Sequence, residues 1–251
     1  MAKLIAKLDD VTMRYGDRVI LENCSLDIVE GAITCIIGLS GAGKSTILRL
    51  LDALRKPDSG HVYVKERDIC HLPESELVAM RSEIGFAFQF AALLDSLSVG
   101  ENVALALREH SSLTNAEIGR RALDTLESVG LAHAYDLLPG ELSGGMLKRA
   151  GFARAVVTNP DLVLFDEPTT GLDPIVTHLL TDIIKRLREQ LNATAVVISH
   201  DLHSIYRMAD YVAMLFEGAI IEYGSVREIR RSANPIVQQF LQGSEVGPIP
   251  L

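Results

Sequence analysis

Apolar and polar positions alternate early in the chain and recur at helical spacing in its middle, so two kinds of element are predicted. Apolar positions alternate from Leu4 to Val11, and a turn follows at Tyr15-Gly16-Asp17. Ile33-Thr34-Cys35-Ile36-Ile37 reads as fully buried, so residues 4–37 are expected to form short strands. A glycine-rich turn at 38–43 leads into a helix expected from Lys44 to about Arg55, ending before Pro57. Asp58-Ser59-Gly60 then turns the chain into a strand from His61 to Val64.

From about 92 to 158 the period becomes helical, with Val103, Leu105 and Leu107 followed by a second stripe at Leu123, Leu126, Val129 and Leu131. Strand character returns at Leu162–Phe165, Ala195–Ile198, Val212–Phe216 and Ile220–Tyr223, with a helix over 174–191. Strands alternating with helices predict an α/β fold around a largely parallel sheet. The expected division is a core of 1–91 and 159–230, a helical insertion at 92–158, and a tail at 231–251. In the tail Ile236, Val237, Phe240 and Leu241 make a short apolar stripe. It reads either as a packed last helix with a frayed end or as a segment that docks on a second copy.

Composition narrows the function. A length of 251 residues suits one large domain with an insertion, and a net charge of -9 argues against a sequence-independent grip on nucleic acid. The three cysteines, Cys24, Cys35 and Cys70, form no C-x-x-C pair and read as core thiols of a reducing compartment. No signal-peptide core fits the charged start, and no apolar run approaches the roughly 20 residues of a membrane span. A soluble chain is expected, served by other chains if its task lies at a membrane.

The chemistry sits in three segments. Gly38-Leu39-Ser40-Gly41-Ala42-Gly43-Lys44-Ser45 fits G-x-x-x-x-G-K-[ST] between a buried strand and a helix. Glycines let backbone N–H groups close around phosphate oxygens, Lys44 reaches the β- and γ-phosphates, and the Ser45 hydroxyl suits Mg²⁺; Thr46 joins the phosphate-binding set. The strand Leu162–Phe165 ends in Asp166 and Glu167, where the first carboxylate can hold Mg²⁺ and the second can take a proton from an attacking water. Leu142-Ser143-Gly144-Gly145-Met146 opens a helix over 146–157 that carries Lys148, Arg149 and Arg154, with Ser143 as its cap.

In this order and spacing the three segments resemble the ATPase subunits of ABC transporters, over about residues 4–230. The resemblance implies a phosphate-loop core with an N-terminal antiparallel β subdomain and an inserted helical subdomain. It also implies further roles. Tyr15 resembles the aromatic that stacks on adenine. Gln89 resembles the glutamine that joins the Mg²⁺ site to the helical subdomain, and His200 the histidine at the γ-phosphate. Gly171-Leu172-Asp173 resembles the loop that crosses a dimer seam. ATP would then lie between the phosphate loop of one copy and Ser143-Gly144-Gly145 of a second. The catalytic set is expected to be Lys44, Gln89, Glu167 and His200, with Ser45, Gln89 and Asp166 on Mg²⁺. The other six histidines are expected to be structural or exposed. Met146 departs from the usual glutamine, and Thr170-Gly171 from the commoner Ser-Ala.

Ser-Gly-Gly-Met, Leu107-Arg108-Glu109-His110 and the tail Gln239-Phe240-Leu241-Gln242-Gly243 resemble a subgroup, the ATPases of Mce/Mla-type phospholipid transport systems. That resemblance implies a permease dimer; Phe90–Leu97, apolar and just after Gln89, reads either as the groove that receives a cytoplasmic helix of the permease or as core packing of the insertion. The resemblance also implies a periplasmic MCE-domain protein and a small STAS-domain protein as partners, no nucleic acid, and a peripheral place on the inner membrane's cytoplasmic face. An importer ATPase for another small solute and a non-transport ABC ATPase remain the alternatives.

Overall fold

The computed structural model describes residues 2–249 and divides into two compact units, residues 1–72 with 196–251 and residues 73–195. In the first, β1 (Leu4–Tyr15) and β2 (Arg18–Val29) pair antiparallel, followed by β3 (Ile33–Ile37), α1 (Lys44–Leu51), β4 (Ser59–Val64) and β5 (Arg67–Asp68). The second unit holds α2 (Glu74–Arg81), β6 (Ile84–Ala87), α3 (Val99–His110), α4 (Asn115–Ser128), α5 (Gly144–Val156), β7 (Leu162–Asp166) and α6 (Pro174–Leu191). Strand β8 (Thr194–Ile198) re-enters the first unit, which ends with α7 (Leu202–Met208), β9 (Tyr211–Phe216), β10 (Ala219–Ser225), α8 (Val226–Arg230) and α9 (Pro235–Gln242).

The first unit carries an antiparallel sheet of order β2-β1-β4-β5 and, beside it, the run β10-β9-β3-β8. Strand β3 is buried along its whole length and pairs parallel with β9 from Thr34↔Tyr211 to Ile37↔Met214. Asp210 fixes the start of that ladder: its carboxylate accepts the Ile33 N–H at 2.8 Å and its own N–H donates to the Ile33 carbonyl at 2.9 Å. In the second unit β6 pairs parallel with β7, and Phe152 of α5 meets Phe165 of β7 edge-on at 5.1 Å. The sheet is therefore largely parallel, as expected. Serine and threonine capping boxes start α3 (Ser98 with Glu101) and α4 (Thr114 with Glu117), satisfying first-turn N–H groups that no helical carbonyl can reach.

Several boundaries differ from the sequence reading. The early strands are not short, since β1 and β2 each run 12 residues. Their pairing shifts register between Leu8 and Val11, with Asp10 at φ 50°, so bulges interrupt the period-two pattern. Helix α1 stops at Leu51 instead of near Arg55, because Ala53 takes φ 51° and breaks the ladder before Pro57 is reached. Leu123, read as part of an apolar stripe, is exposed. The end of the chain is not frayed as far as Ile249. The buried amide of Gln239 accepts the Ile249 N–H at 2.7 Å and donates to the Ser244 carbonyl at 3.2 Å, folding the tail onto α9.

Candidate functional site

In the first unit the phosphate loop connects buried β3 to α1. Gly38 is enclosed, and a Cβ there would lie 2.2 Å from the Leu215 carbonyl oxygen of β9, so only glycine fits. Gly41 and Gly43 take φ 77° and 104°, turning Ser40, Gly41 and Ala42 outward at the head of the helix. Lys44 is buried, and its ammonium folds back to the loop's own carbonyls, 2.9 Å from Gly38 O and 2.8 Å from Leu39 O. That places the positive charge inside the loop's curve. No side chain caps α1, so the helix start at Gly43, with Lys44, half-buried Ser45 and buried Thr46 after it, presents backbone donors suited to an anion.

Tyr15 ends β1 with its ring partly exposed, and the Arg55 guanidinium sits 5.7 Å from the ring centroid. An aromatic face with a cation beside it can receive a planar base. His200 is exposed just beyond β8, where the Asp201 carboxylate caps α7 by accepting the N–H groups of His203 (3.1 Å) and Ser204 (3.3 Å).

The second unit brings together residues far apart in sequence. Glu167 follows β7 in the left-handed region at φ 46°, a conformation that costs a non-glycine residue on the order of 1 kcal/mol. One carboxylate oxygen, Oε2, accepts from Gln89 Nε2 at 3.3 Å and from the Thr170 hydroxyl at 2.9 Å. With its NH₂ turned toward Glu167, Gln89 directs its amide oxygen elsewhere. In this unit Gln89 and Asp166 offer an amide oxygen and a carboxylate, hard oxygen donors of the kind Mg²⁺ takes; Ser45 of the first unit carries a hydroxyl of the same class. These residues fit the ion.

Lys148, one turn into α5, joins this cluster although the sequence reading gave it no role. Its ammonium donates to the Gln89 carbonyl and, at 3.3 Å, to the Glu167 carbonyl. Burial pushes this amine below the ordinary lysine range, against the opposing pull of the Glu167 and Asp166 charges. Its neighbours Ala150, Gly151, Phe152 and Ala153 are buried in α5, but in sequence Lys148 itself reads as an ordinary helix-surface cation.

Ser143 and Gly144 are exposed, while Gly145 packs on α6, where a Cβ would meet Val176 Cγ1 at 2.8 Å. The Ser143 hydroxyl caps α5 by accepting the Met146 N–H at 3.4 Å. Asp173 does not hang free in its loop but caps α6, accepting the N–H groups of Ile175 (2.9 Å) and Val176 (3.0 Å).

Of the histidines read as structural or exposed, two share a partner. His61 Nδ1 and His71 Nδ1 lie 2.8 and 3.0 Å from one Asp68 carboxylate oxygen. Burial raises the Asp68 pKa, but the bonds from His61, the Cys70 N–H and His71 outweigh it and bring it down to about 2. Cys24 and Cys35 are buried thiols, as expected, and burial pushes Cys24 up to about 11.

Among the described residues no helix is long and apolar enough to cross a membrane. The family model for ABC transporters matches residues 21–170. The intermembrane phospholipid transport system ATP-binding protein MlaF of Haemophilus influenzae is 41% identical over 249 residues, covering 99% of this chain and 94% of that protein. The MlaF of Escherichia coli K12 is 39% identical, covering 98% and 91%. A probable ribonucleotide transport ATP-binding protein, mkl of Mycobacterium tuberculosis, is 36% identical, over 97% of this chain and 68% of its own length. The dimeric post-hydrolysis structure of the ATP-binding cassette MJ0796 bound to ADP and Pi superposes with a TM-score of 0.82 at 33% identity, over 89% of this chain and 99% of that one. A family match from residue 21 to 170, with relatives aligned nearly end to end, means that this chain belongs to the ABC transporter family.

Proposed function

We propose that this chain is the ATP-hydrolysing subunit of a phospholipid transport system and works as a pair of copies around two ATP molecules. The observation that carries the hydrolytic part is Glu167, a carboxylate held by Gln89 and Thr170 at the end of β7 in a chain that also has the lysine-capped phosphate loop. The backbone donors of 41–46 and Lys44 hold the phosphates, Tyr15 stacks on the base, and Ser45, Gln89 and Asp166 would hold Mg²⁺. Held there, Mg²⁺ would supply positive charge against the β- and γ-phosphates. Glu167 takes the proton from a water attacking the γ-phosphorus in line, and His200 donates to the γ-phosphate as negative charge develops on it. Ser143-Gly144-Gly145, at the head of α5 with Ser143 and Gly144 exposed, serves the nucleotide of the second copy, and Gly171-Leu172-Asp173 crosses between copies.

The membrane-facing part rests on the second unit. Val78, Phe88, Phe90 and Leu94 are exposed at 45%, 40%, 85% and 47%, and a cavity lined by Val78, Phe86, Phe88, Leu105, Ala106 and His110 opens in that unit. We assign this apolar surface to a permease dimer, which would hold the chain on the cytoplasmic face of the inner membrane; an MCE-domain protein and a STAS-domain protein complete the assembly. The phospholipid reading draws on the relatives named MlaF. The mycobacterial relative with ribonucleotide transport in its name supports a second reading, a solute importer.

The test is to purify the tagged chain from its own membranes in mild detergent and identify what accompanies it. A permease with an MCE-domain protein and bound phospholipid is the expected result. A solute permease without an MCE protein would overturn the substrate and leave the ATPase in place.

A further inference from the structure

Helix α5 does more than present Ser143 at its start. Along one stripe, at positions 148, 151 and 154, it grips the segment that begins at Gln89. The Lys148 ammonium donates to the Gln89 carbonyl; Arg154 Nη2 and Nη1 donate to the carbonyls of Ala91 (2.6 Å) and Ala92 (2.5 Å). Between them Gly151 lets the backbone come close, since a Cβ there would lie 3.1 Å from Ala91 Cβ. Ala91 and Ala92 both take left-handed φ, 59° and 51°, a conformation these contacts pay for. Of these three positions, Lys148 also reaches the carbonyl of Glu167, itself left-handed.

An ammonium has three donors in no fixed plane, so it can serve two carbonyls from different segments at once. Charge-assisted bonds of this kind are roughly twice as strong as neutral ones, and a buried ammonium left without them would be costly. We propose that Lys148 is a positioning residue for ATP hydrolysis, its ammonium tying the backbone of Gln89 to the backbone of Glu167 so that both side chains keep their mutual geometry. The inference rests on the reading of Glu167 as the general base. The side chains of Gln89 and Glu167 meet at 3.3 Å, a contact that holds only while the two backbone segments keep their separation. The Thr170 hydroxyl holds the Glu167 carboxylate at 2.9 Å, and the lysine adds a tie between the two backbones from the helix capped by Ser143.

A small displacement of a catalytic group costs up to about 10²-fold in rate without removing any substrate contact. The test is steady-state ATP hydrolysis by the full chain carrying Lys148→Met, which keeps the length and loses the donors, beside Lys148→Arg, which keeps donors and charge. Lys148→Met is expected to lower kcat about 10- to 100-fold with the KM for ATP changed less than about threefold, and Lys148→Arg to recover most of kcat. If Lys148→Met does not fold, judged by its thermal transition, Lys148→Gln supplies a neutral donor and is expected to fall between the other two. A normal kcat in Lys148→Met, or a loss that appears in KM alone, overturns the positioning role. Glu167→Gln measured alongside separates the two ideas: full turnover there removes the general base and the positioning role with it, whereas lost turnover there with normal turnover in Lys148→Met removes only the latter.

Discussion

The phosphate loop and the Glu167 cluster, assigned to two parts of the proposed reaction, are built in opposite ways. The loop is nine consecutive residues, 38–46, whose shape follows from its own glycines and from the helix it begins. Its lysine is satisfied by the loop itself, through the carbonyls of Gly38 and Leu39. The Glu167 cluster draws on residues 89, 148, 167 and 170, from three separate stretches of backbone, with a lysine that bonds across sequence separations of 59 and 19. A local site survives as a motif, while an assembled one exists only when the fold does. The first is therefore robust in sequence and the second is sensitive to packing.

The largest expected effect breaks the assembled side alone. Glu167→Gln should retain ATP binding and lose turnover by about 10²–10⁴-fold, measured as phosphate release. Next comes a purely steric break of the local side. Gly38→Ala forces a Cβ against the Leu215 carbonyl at 2.2 Å in a backbone region unfavourable to L-residues, and should cost about 2–4 kcal/mol in urea unfolding. Gly145→Ala is milder, because its Cβ meets a side-chain methyl of Val176 at 2.8 Å; about 1 kcal/mol is expected by the same method. The smallest effect lies outside both regions. Asp68 has its folded pKa depressed to about 2, below the roughly 3.9 of an unfolded aspartate, so its stabilisation is complete above pH 4 and disappears as pH falls from about 4 to 2. Asp68→Asn should therefore lower stability by no more than about 1 kcal/mol near neutral pH, and the two proteins should converge in acid.

The same contrast explains what could be read from the sequence. Lys44, Ser45, Asp166 and Glu167 stand in contiguous motifs, and helix α6 begins and ends where Pro174 and Leu191 were expected. What escaped depends on distant partners. The length of β1 and β2 was hidden by bulges around Asp10 and Asn23, whose positive φ breaks the alternation of apolar residues. Lys148 resembles any helix-surface cation until the backbone carbonyls of Gln89 and Glu167 are brought to it. The folded-back tail depends on a hydrogen bond from the Ile249 N–H to the Gln239 side-chain oxygen, ten residues away, which no local pattern encodes.

The most direct test of the account compares ATP binding and phosphate release for the wild-type chain, Lys44→Ala and Glu167→Gln prepared side by side. The account predicts that Lys44→Ala loses both and that Glu167→Gln binds ATP normally while releasing almost no phosphate. Wild-type phosphate release by Glu167→Gln, or loss of ATP binding in both variants, would contradict the division of labour between the phosphate loop and the Glu167 cluster.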